Sequence, residues 1–522
     1  MDVNESLLGS CSQEDKLGIE VTDFGPIVEA SIDLRPLTVF VGPSNTGKTY
    51  LATLIYALHR YFSGRSTPWR FPSNYQRLLD ISPQHVVRET TDAFDEFVQQ
   101  VSIEADKPLC ERNIVLPAPI AGAIRSVFET KGKKVGEEIG RCFGVAETEA
   151  LIRKGRARSA RVVIRRSISD EPAPFEHVLT LEGQETKLKM TVPGEGLLTA
   201  VDMVIGGVGK PQDLLNHEVQ DVVSRVRRAG KDRDFLARQL LEVIIDLALP
   251  QLAGPLFCTP YFLPADRTGV MNAHSTIVNS VIGGASMAGL SPATRIPILS
   301  GVLSDFLQQL IDLVQPTHVR SNELDDLGKR IEDEILNGSV RVESSEILNY
   351  PRFAYRPKGW KSDLPLVNAS SMVSEIAPLI LFLRHFVRRG DTLIIEEPES
   401  HLHPAMQVEF TQRLVALVHA GVNVIVTTHS EWVLETLGNL VRLAELPRER
   451  REGIKGADLS LGRDHIGAWS FKPKRSPRGS VVEEIKFDAN AGGLRSDYDE
   501  VAERLYNDWA TIGNRATDNT RQ

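Results

Sequence analysis

The chain has 522 residues and a formal net charge of −9, so it is long enough for about three domains and has no chain-wide basic field that would attract nucleic acid. Its four cysteines (Cys11, Cys110, Cys142 and Cys258) lack Cys-x-x-Cys spacing, which indicates reduced thiols and neither a disulfide framework nor a zinc site. The longest apolar stretch, residues 235–257, contains charged side chains, so we expect a buried helix, no membrane span and a cytoplasmic protein.

The first predicted element is a half-exposed antiparallel strand within residues 17–35. Apolar and polar side chains alternate there, most clearly between Val28 and Leu34. This period of two is typical of a strand with one buried face. We expect this strand and the nucleotide-binding motif that follows to form the first lobe of one domain.

That motif is a phosphate-binding loop at residues 42–49, which read Gly-Pro-Ser-Asn-Thr-Gly-Lys-Thr. An apolar strand precedes it, and a helix with apolar residues at helical spacing follows. The glycines let backbone N–H groups point at phosphates, Lys48 reaches the terminal oxygens, and the Thr49 hydroxyl is a Mg²⁺ ligand. The pattern predicts a nucleoside triphosphate site formed by Gly42, Pro43, Ser44, Asn45, Thr46, Gly47, Lys48, Thr49 and Tyr50.

A long insert, residues 61–364, follows this motif. Its many prolines and the lack of a sustained heptad exclude long coiled-coil arms, and its length argues against a simple transporter subunit. Residues 85–101 and 214–248 are predicted helices, and the alternation over residues 160–192 predicts a small antiparallel sheet. We therefore expect a compact insert of mixed helix and strand.

A run of cations without acids lies between Arg153 and Arg166. Its members are Arg153, Lys154, Arg156, Arg158, Arg161, Arg165 and Arg166, and a second cluster spans residues 225–233. Such a patch can follow a nucleic-acid backbone. No aromatic residues interleave for base stacking, and a charge run is more often a solvated face. Contact with nucleic acid stays open as an alternative.

Two further segments carry candidate site residues before the acidic motif. Tyr261–Gly269 is predicted to be a strand that runs into a loop; we favour a surface turn for Arg267, with a phosphate contact as the alternative. Ser371 precedes an apolar helix, where free N–H groups and the helix dipole favour a phosphate. Capping of that helix by Ser370 or Ser371 is the plain alternative.

The second half of the nucleotide site is predicted at two downstream strand ends. Leu393–Ile395 is an apolar strand that ends in Glu396 and Glu397, and Val422–Val426 is another that leads to His429. We expect Glu396 to hold Mg²⁺ with Thr49, and Glu397 to orient or deprotonate the attacking water. His429 is then placed to sense the γ-phosphate. Solvated acids, a structural histidine, and a separate metal site at Glu399, His401 and His403 are the alternatives.

The order of these motifs resembles a known family. Phosphate loop, Glu-Glu-Pro-Glu with His-Leu-His-Pro, and Thr-Thr-His-Ser together resemble the ATP-binding-cassette (ABC) ATPases of the SMC, RecF and OLD type, above all the stand-alone AAA-family ATPases of prokaryotic phage-defence operons. The resemblance to this family covers residues 17–60 and 365–440. The Pro-Ala-x-Arg element that ends at Arg267 also resembles an element of these ATPases. The resemblance implies an ATP sandwich of two heads, with Ser371 of one head completing the site of the other, although Met372 stands where the family usually has glycine.

The predicted fold is α/β: an ABC-ATPase head, with a mixed phosphate-loop sheet and an N-terminal antiparallel β layer, carries a large inserted mixed α/β domain. The predicted domains are a first lobe at residues 17–60, the insert at 61–364, a second lobe at 365–470, and a strand-helix tail at 471–522. The tail ends in an amphipathic helix that includes Leu505 and Trp509.

The resemblance implies that the chain hydrolyses ATP with Mg²⁺, with Glu397, His429 and Lys48 as catalytic residues. We expect a head-to-head dimer or higher oligomer that acts as an ATP-gated sensor or scaffold for a separately encoded effector in a defence-type system. A RecF-like DNA-binding clamp in DNA repair or restriction is the alternative. No cluster of acids of a nuclease domain is recognisable, so we expect no intrinsic nuclease.

Overall fold

The computed structural model describes residues 16–63, 132–155, 157–167, 175–191, 254–287, 299–314, 324–344, 351–487, 494 and 503–512. The predicted helices at 85–101 and 214–248 and the basic cluster at 225–233 lie outside these ranges. The chain divides into two compact units. The first comprises Met1–Gly25, Glu29–Asp33 and Leu54–Pro260, and the second comprises Pro26–Val28, Leu34–Thr53 and Tyr261–Gln522.

Strands and helices are mixed along the described chain. The strands are β1 (Lys16–Phe24), β2 (Ile27–Leu34), β3 (Leu37–Val41), β4 (Ser159–Ser167), β5 (Phe175–Glu182), β6 (Glu185–Thr191), β7 (Pro260–Leu263), β8 (Gly338–Ser344), β9 (Pro351–Pro357), β10 (Leu364–Pro365), β11 (Thr392–Glu396), β12 (Asn423–Thr428), β13 (Ile466–Arg475) and β14 (Arg478–Glu484). The helices are α1 (Lys48–Phe62), α2 (Gly132–Phe143), α3 (Arg267–Met287), α4 (Gly301–Asp312), α5 (Asp325–Ile331), α6 (Ser371–His385), α7 (Pro404–His419), α8 (Glu431–Glu445) and α9 (Arg448–Arg451). A further helix covers residues 503–512.

The first unit is built on strands in the order β6-β5-β4-β1-β2. β4, β5 and β6 pair antiparallel, with Val162 opposite Leu179 and Leu179 opposite Leu188, which confirms the small sheet predicted at 160–192. Residues 17–35, expected as one strand, form β1 and β2 instead. Asp23 and Gly25 take left-handed φ angles of 55° and 53°, and Pro26 offers no N–H, so the strand ends and a turn begins.

The second unit holds the sheet that matters for the nucleotide site, with strands in the order β14-β13-β3-β12-β11-β7. β13, β3, β12 and β11 run parallel, and β14 returns antiparallel to β13. Every residue of β3 and β11 is buried, as expected for central strands covered on both faces. The predicted α/β class with a mixed sheet is confirmed. Because parallel strands end at the same edge, the loops after β3, β11 and β12 meet there.

Helices of the second unit bury this sheet in a single apolar core that includes Phe306, Phe382 and Leu393. α6 is buried along most of its length, and its Arg384 pairs with Asp325 and Glu332 near its carboxyl end. Strands β8, β9 and β10 form a separate three-stranded sheet. Among the helices that are described, none is long and apolar enough to cross a membrane.

Candidate nucleotide site

The phosphate loop joins β3 to α1, and Lys48 is the first residue of the helix. Gly42 and Gly47 take φ angles of 142° and 99°, which L side chains rarely adopt. A β-carbon at Gly47 would lie 2.8 Å from Cγ of Pro26, and one at Gly42 would lie 2.6 Å from the carbonyl oxygen of Phe471. Both conformation and space therefore require glycine at these two positions.

Lys48 is folded back over the loop. Its Nζ donates to the carbonyl oxygens of Gly42 and Pro43, at 2.9 Å each, and the residue is only 6% exposed. Burial lowers the lysine pKa to about 8, although the charges of Glu397, Glu399 and Glu396 oppose that shift. The Lys48 amino group therefore lies at the phosphate loop, close enough to Glu396, Glu397 and Glu399 to interact with their charges.

Two hydroxyl groups brace the loop from behind. The Thr46 hydroxyl donates to the Pro43 carbonyl at 2.8 Å, and the buried Ser480 hydroxyl of β14 donates to the Thr46 carbonyl. Ser480 was not predicted as a site residue, because its contact joins positions more than 400 residues apart. No local pattern in the sequence reports such a contact.

Glu396 ends β11 with a carboxyl group suited to a cation. Burial raises its pKa, and hydrogen bonding by the Thr49 side chain and the Ala265 backbone opposes that rise. Oε2 accepts from the Ala265 N–H at 3.2 Å, whereas Oε1 is buried and has no hydrogen-bond partner among the residues that the structure describes. A buried carboxylate oxygen without a partner, beside a hydroxyl group, offers the oxygen donors that Mg²⁺ prefers. Thr49 and Glu396 therefore fit the ion that was predicted for them.

Glu397 lies on a strained piece of backbone with its carboxyl group half-exposed. Its φ of 43° is in the left-handed region, where a residue with a side chain is uncommon. Its N–H donates to the Thr427 carbonyl at 2.9 Å, and the Ser400 hydroxyl donates to Oε2 at 3.3 Å. Oε1 lies 3.6 Å from Nε2 of His429. Outliers of this kind concentrate at functional sites, which agrees with the role expected of this carboxylate.

His429 follows β12 and is held in place by Glu399. Oε1 of Glu399 accepts from the Thr428 hydroxyl at 2.7 Å and from the His429 N–H at 2.6 Å. Burial and the nearby Lys48 charge lower the pKa of His429, while Glu397 raises it. The net lowering favours a neutral imidazole with one N–H donor at neutral pH. The sequence indicated Glu399 only as a candidate metal ligand, and its contact with the histidine loop was missed.

Arg267 is not in a surface turn, so that interpretation was wrong. The residue begins α3, is 2% exposed, and forms an ion pair with Glu375 of α6, with 2.5 Å between Nη2 and Oε1. Partners more than 100 residues away neutralise the charge and allow its burial. The local sequence pattern, a strand followed by Pro-Ala-Asp, does not reveal the pairing with Glu375.

Ser371 and Ser370 have separate positions at the start of α6. The Ser370 hydroxyl caps the helix by accepting from the Val373 N–H at 3.4 Å, so the capping alternative belongs to Ser370. Ser371 is the first helical residue and is exposed, while Met372 packs partly against the core. Ser371 is therefore exposed to solvent at the helix N-terminus.

The two histidines after the acidic motif have structural surroundings. Nδ1 of His403 accepts from the Ala405 N–H at 3.3 Å and caps α7, and His401 takes a φ of 61° in the preceding turn. Within the ranges given above, no three His, Cys, Asp or Glu side chains gather as a metal cluster.

The basic run of the first unit is partly neutralised by acids. Arg153 pairs with Asp23 at 2.6 Å, and Arg165 contacts both Glu20 and Glu176. Arg166 is buried, with 8% of its surface exposed. Lys154, Arg158 and Arg161 are exposed, and Arg156 lies outside the described residues. The surface is thus of mixed charge, unlike the uniform basic strip that nucleic-acid backbones favour.

Comparison with known families supports the prediction made from the motifs. Residues 290–434 match the family model described as AAA ATPase domain (AAA_15). The match includes Glu396, Glu397 and His429 and begins after the phosphate loop. The predicted resemblance to AAA-class ATPases is confirmed over this segment.

Solved structures with some likeness to the chain are head domains of SMC proteins. An SMC head bound to the C-terminal winged-helix domain of ScpA is 9% identical, covers 91% of this chain and 98% of its own, and has a TM-score of 0.38. The SMC head domain from Thermotoga maritima is 13% identical, covers 90% of this chain and 99% of its own, and has a TM-score of 0.32. An SMC head with an extended coiled coil, bound to the C-terminal domain of ScpA from Pyrococcus furiosus, is 10% identical, covers 94% of this chain and 99% of its own, and has a TM-score of 0.35. Since these TM-scores are low, the fold assignment rests on the strand order. No curated protein matches the sequence.

Proposed function

We propose that this chain hydrolyses ATP by attack of water on the terminal phosphate. The observation that carries the proposal is the gathering of Lys48, Glu396, Glu397 and His429 at the carboxyl edge of four parallel strands. This edge is where open α/β sheets bind ligands. An AAA ATPase domain covers three of these four residues, which supports ATP as the nucleotide.

Each side chain has a role that follows from its surroundings. Lys48 and the loop N–H groups bind the phosphates, and Glu397, half-exposed beside His429, orients the water and accepts its proton. His429, as a neutral imidazole, donates a hydrogen bond to the terminal phosphate and so senses whether that phosphate is present. Thr49 and Glu396 would hold Mg²⁺, which would supply positive charge to the transferring phosphoryl group.

We also propose that two copies pair head to head, with Ser371 of one copy completing the site of the other. Ser371 is exposed at a helix start, where a phosphate is favoured. Apolar side chains are exposed beside both site segments: Val367, four residues before Ser371, is 62% exposed, and Trp432, three residues after His429, is 47% exposed. Exposed apolar groups next to a polar site are typical of an interface.

A mixing experiment tests the shared site. Lys48→Met and Ser371→Glu should each be nearly inactive as pure proteins, because every site then lacks one essential part. An equimolar mixture should recover up to about a quarter of the unaltered activity, since half of the dimers are mixed and each contains one intact site. Phosphate release after mixing is the measurement.

The control is a mixture of Lys48→Met with Glu397→Gln. Both changes affect the same half-site, so no combination of copies contains an intact site and no activity should return. An active Ser371→Glu protein, or a Ser371→Glu mixture that stays as inactive as this control, would show that Ser371 does not act across copies.

We further propose that ATP binding gates the docking of a separately encoded effector protein, in a defence-type system. Helix 503–512 supports a protein partner, because Leu505, Tyr506, Trp509 and Ile512 are 61%, 66%, 70% and 68% exposed. Three of them follow the i, i+4, i+7 spacing of one helix face. The mixed charge around Arg165 makes the alternative, a DNA clamp, less well supported.

Trapping the ATP-bound chain in extract of its own host tests this role. Glu397→Gln with Mg²⁺-ATP should retain a protein that the same variant with ADP does not. Added Leu505→Asp and Trp509→Asp changes should release that protein without altering ATP binding. Nuclease-sensitive DNA in place of protein, lost on Arg158→Glu and Arg161→Glu, would support the clamp instead.

A further inference from the structure

Arg267 links two parts of the nucleotide site from inside the core. Its Nη1 donates to the Glu396 carbonyl at 2.6 Å and to the Pro264 carbonyl at 3.0 Å, and its Nη2 donates to the Glu397 carbonyl at 3.3 Å. The same guanidinium pairs with the carboxylate of Glu375, and its Nε donates to the Glu375 carbonyl at 3.1 Å. One side chain therefore holds the end of β11 and the first turns of α6 together.

This contact falls on the strained residue of the site. Glu397 needs support from other residues for its left-handed backbone, since such a conformation is unfavourable and persists only where the surroundings hold it. The Thr427 carbonyl fixes the Glu397 N–H, and Arg267 fixes its carbonyl. These two hydrogen bonds to the backbone of Glu397 thereby set the direction in which its carboxyl group points.

The other end of the link reaches the segment that begins with Ser371. Glu375 is four residues after Ser371, one helical turn further along α6. Its side chain is 1% exposed, and the Thr268 hydroxyl also donates to it. A buried carboxylate with these partners has little freedom to move independently of Arg267.

We propose that Arg267 is a positioning residue that fixes the backbone of Glu397 and ties it to the start of α6, so that displacement of α6 changes the aim of the Glu397 carboxyl group. The inference rests on the proposed role of Glu397. Arginine suits this position because its planar group presents five donors to separate acceptors, whereas lysine offers donors from a single atom. Arg267 itself needs no contact with nucleotide.

The test replaces the ion pair without leaving a charge buried alone. Arg267→Met together with Glu375→Met should fold, because an apolar pair of similar size commonly replaces a buried ion pair without loss of stability. We expect its kcat to fall about tenfold while the KM for ATP changes less than about twofold, because the Glu397 carboxyl group loses its orientation while the residues that bind ATP are unchanged. Arg267→Lys, which keeps the charge, should show the same split with a smaller loss of kcat.

A matched pair on the same helix is the control. Arg384→Met with Glu332→Gln breaks another ion pair of α6, a partly buried one nine residues further along, and should leave kcat unchanged. An unchanged kcat in the Arg267→Met/Glu375→Met protein, or a raised KM with unchanged kcat, would overturn the inference. Unfolding temperatures and binding of a fluorescent ATP analogue, measured on every variant, separate loss of fold from loss of aim.

Glu397→Gln, measured in parallel, shows whether a negative result refutes only the positioning role of Arg267 or also the proposed role of Glu397. Full turnover in Glu397→Gln would refute the role of Glu397 itself. A collapse of turnover in Glu397→Gln with full turnover in Arg267→Met/Glu375→Met would leave that role standing and refute only the positioning by Arg267.

Discussion

Glu397→Gln is expected to bind Mg²⁺-ATP normally and to hydrolyse it at least about a hundredfold more slowly than the unaltered chain. The amide keeps the shape of the side chain and its contact with the Ser400 hydroxyl, which is 3.3 Å away. It lacks the negative charge that orients and deprotonates water. Single-turnover phosphate release, together with equilibrium binding of ATP, measures the two parts separately.

Glu435→Gln is the matched control, because Glu435 is an exposed carboxylate of α8 on the same unit. It should leave both binding and turnover unchanged. If Glu397→Gln retained full turnover, the assignment of the base would be wrong. If it lost ATP binding, the carboxylate would be a ligand-binding group and not a base.

Lys48→Met is expected to weaken ATP binding about a hundredfold, because a charged hydrogen bond to phosphate of about 3 kcal/mol is lost. Its ammonium donates to two carbonyl oxygens of the loop in the absence of nucleotide, so the variant also loses a brace of the loop. Lys455→Met, on a surface lysine whose side chain is 78% exposed, is the control and should bind normally. Equal affinities in the two variants would exclude Lys48 from the phosphate site.

The pKa of Lys48 adds a pH signature to that prediction. Burial lowers this pKa to about 8 in the free chain, and bound phosphate charges raise it again. Below pH 8 the ammonium is already formed, so its contribution to affinity is constant. Above pH 8 binding must take up a proton, so ATP affinity should fall by up to about tenfold per pH unit. Lys48→Met should lack this fall, and its presence in that variant would assign the titration to another group.

The parts of the site that the sequence predicted are those in which a short segment contains the whole signal. The phosphate loop, the apolar strand before Glu396 and the one before His429 each combine a strand pattern with a motif at its end, and all three lie where they were expected. The domain boundaries, the shared role of Ser371 and the effector stay predictions.

The parts that were missed depend on contacts between distant positions. Arg267 was expected at the surface because its local pattern is that of a turn, whereas its ion pair with Glu375, more than 100 residues away, allows its burial. Ser480 and Glu399 support the site through hydrogen bonds to residues that are also distant in the sequence. An isolated sequence predicts periodicity and motif order well and pairings of this sort poorly, because a pairing leaves no mark on its neighbours.

The position of β13 has a consequence for synthesis of the chain. β3, which leads into the phosphate loop, lies between β12 and β13, and Gly42 packs directly on Phe471 of β13. Residues of the phosphate loop thus depend on a strand that is translated more than 400 residues later. While the ribosome is still adding residues before 466, one flank of β3 is bare and the nascent chain cannot complete its nucleotide pocket. Fragments that stop before β13 should therefore be found among chaperone clients and not among ATP-bound proteins.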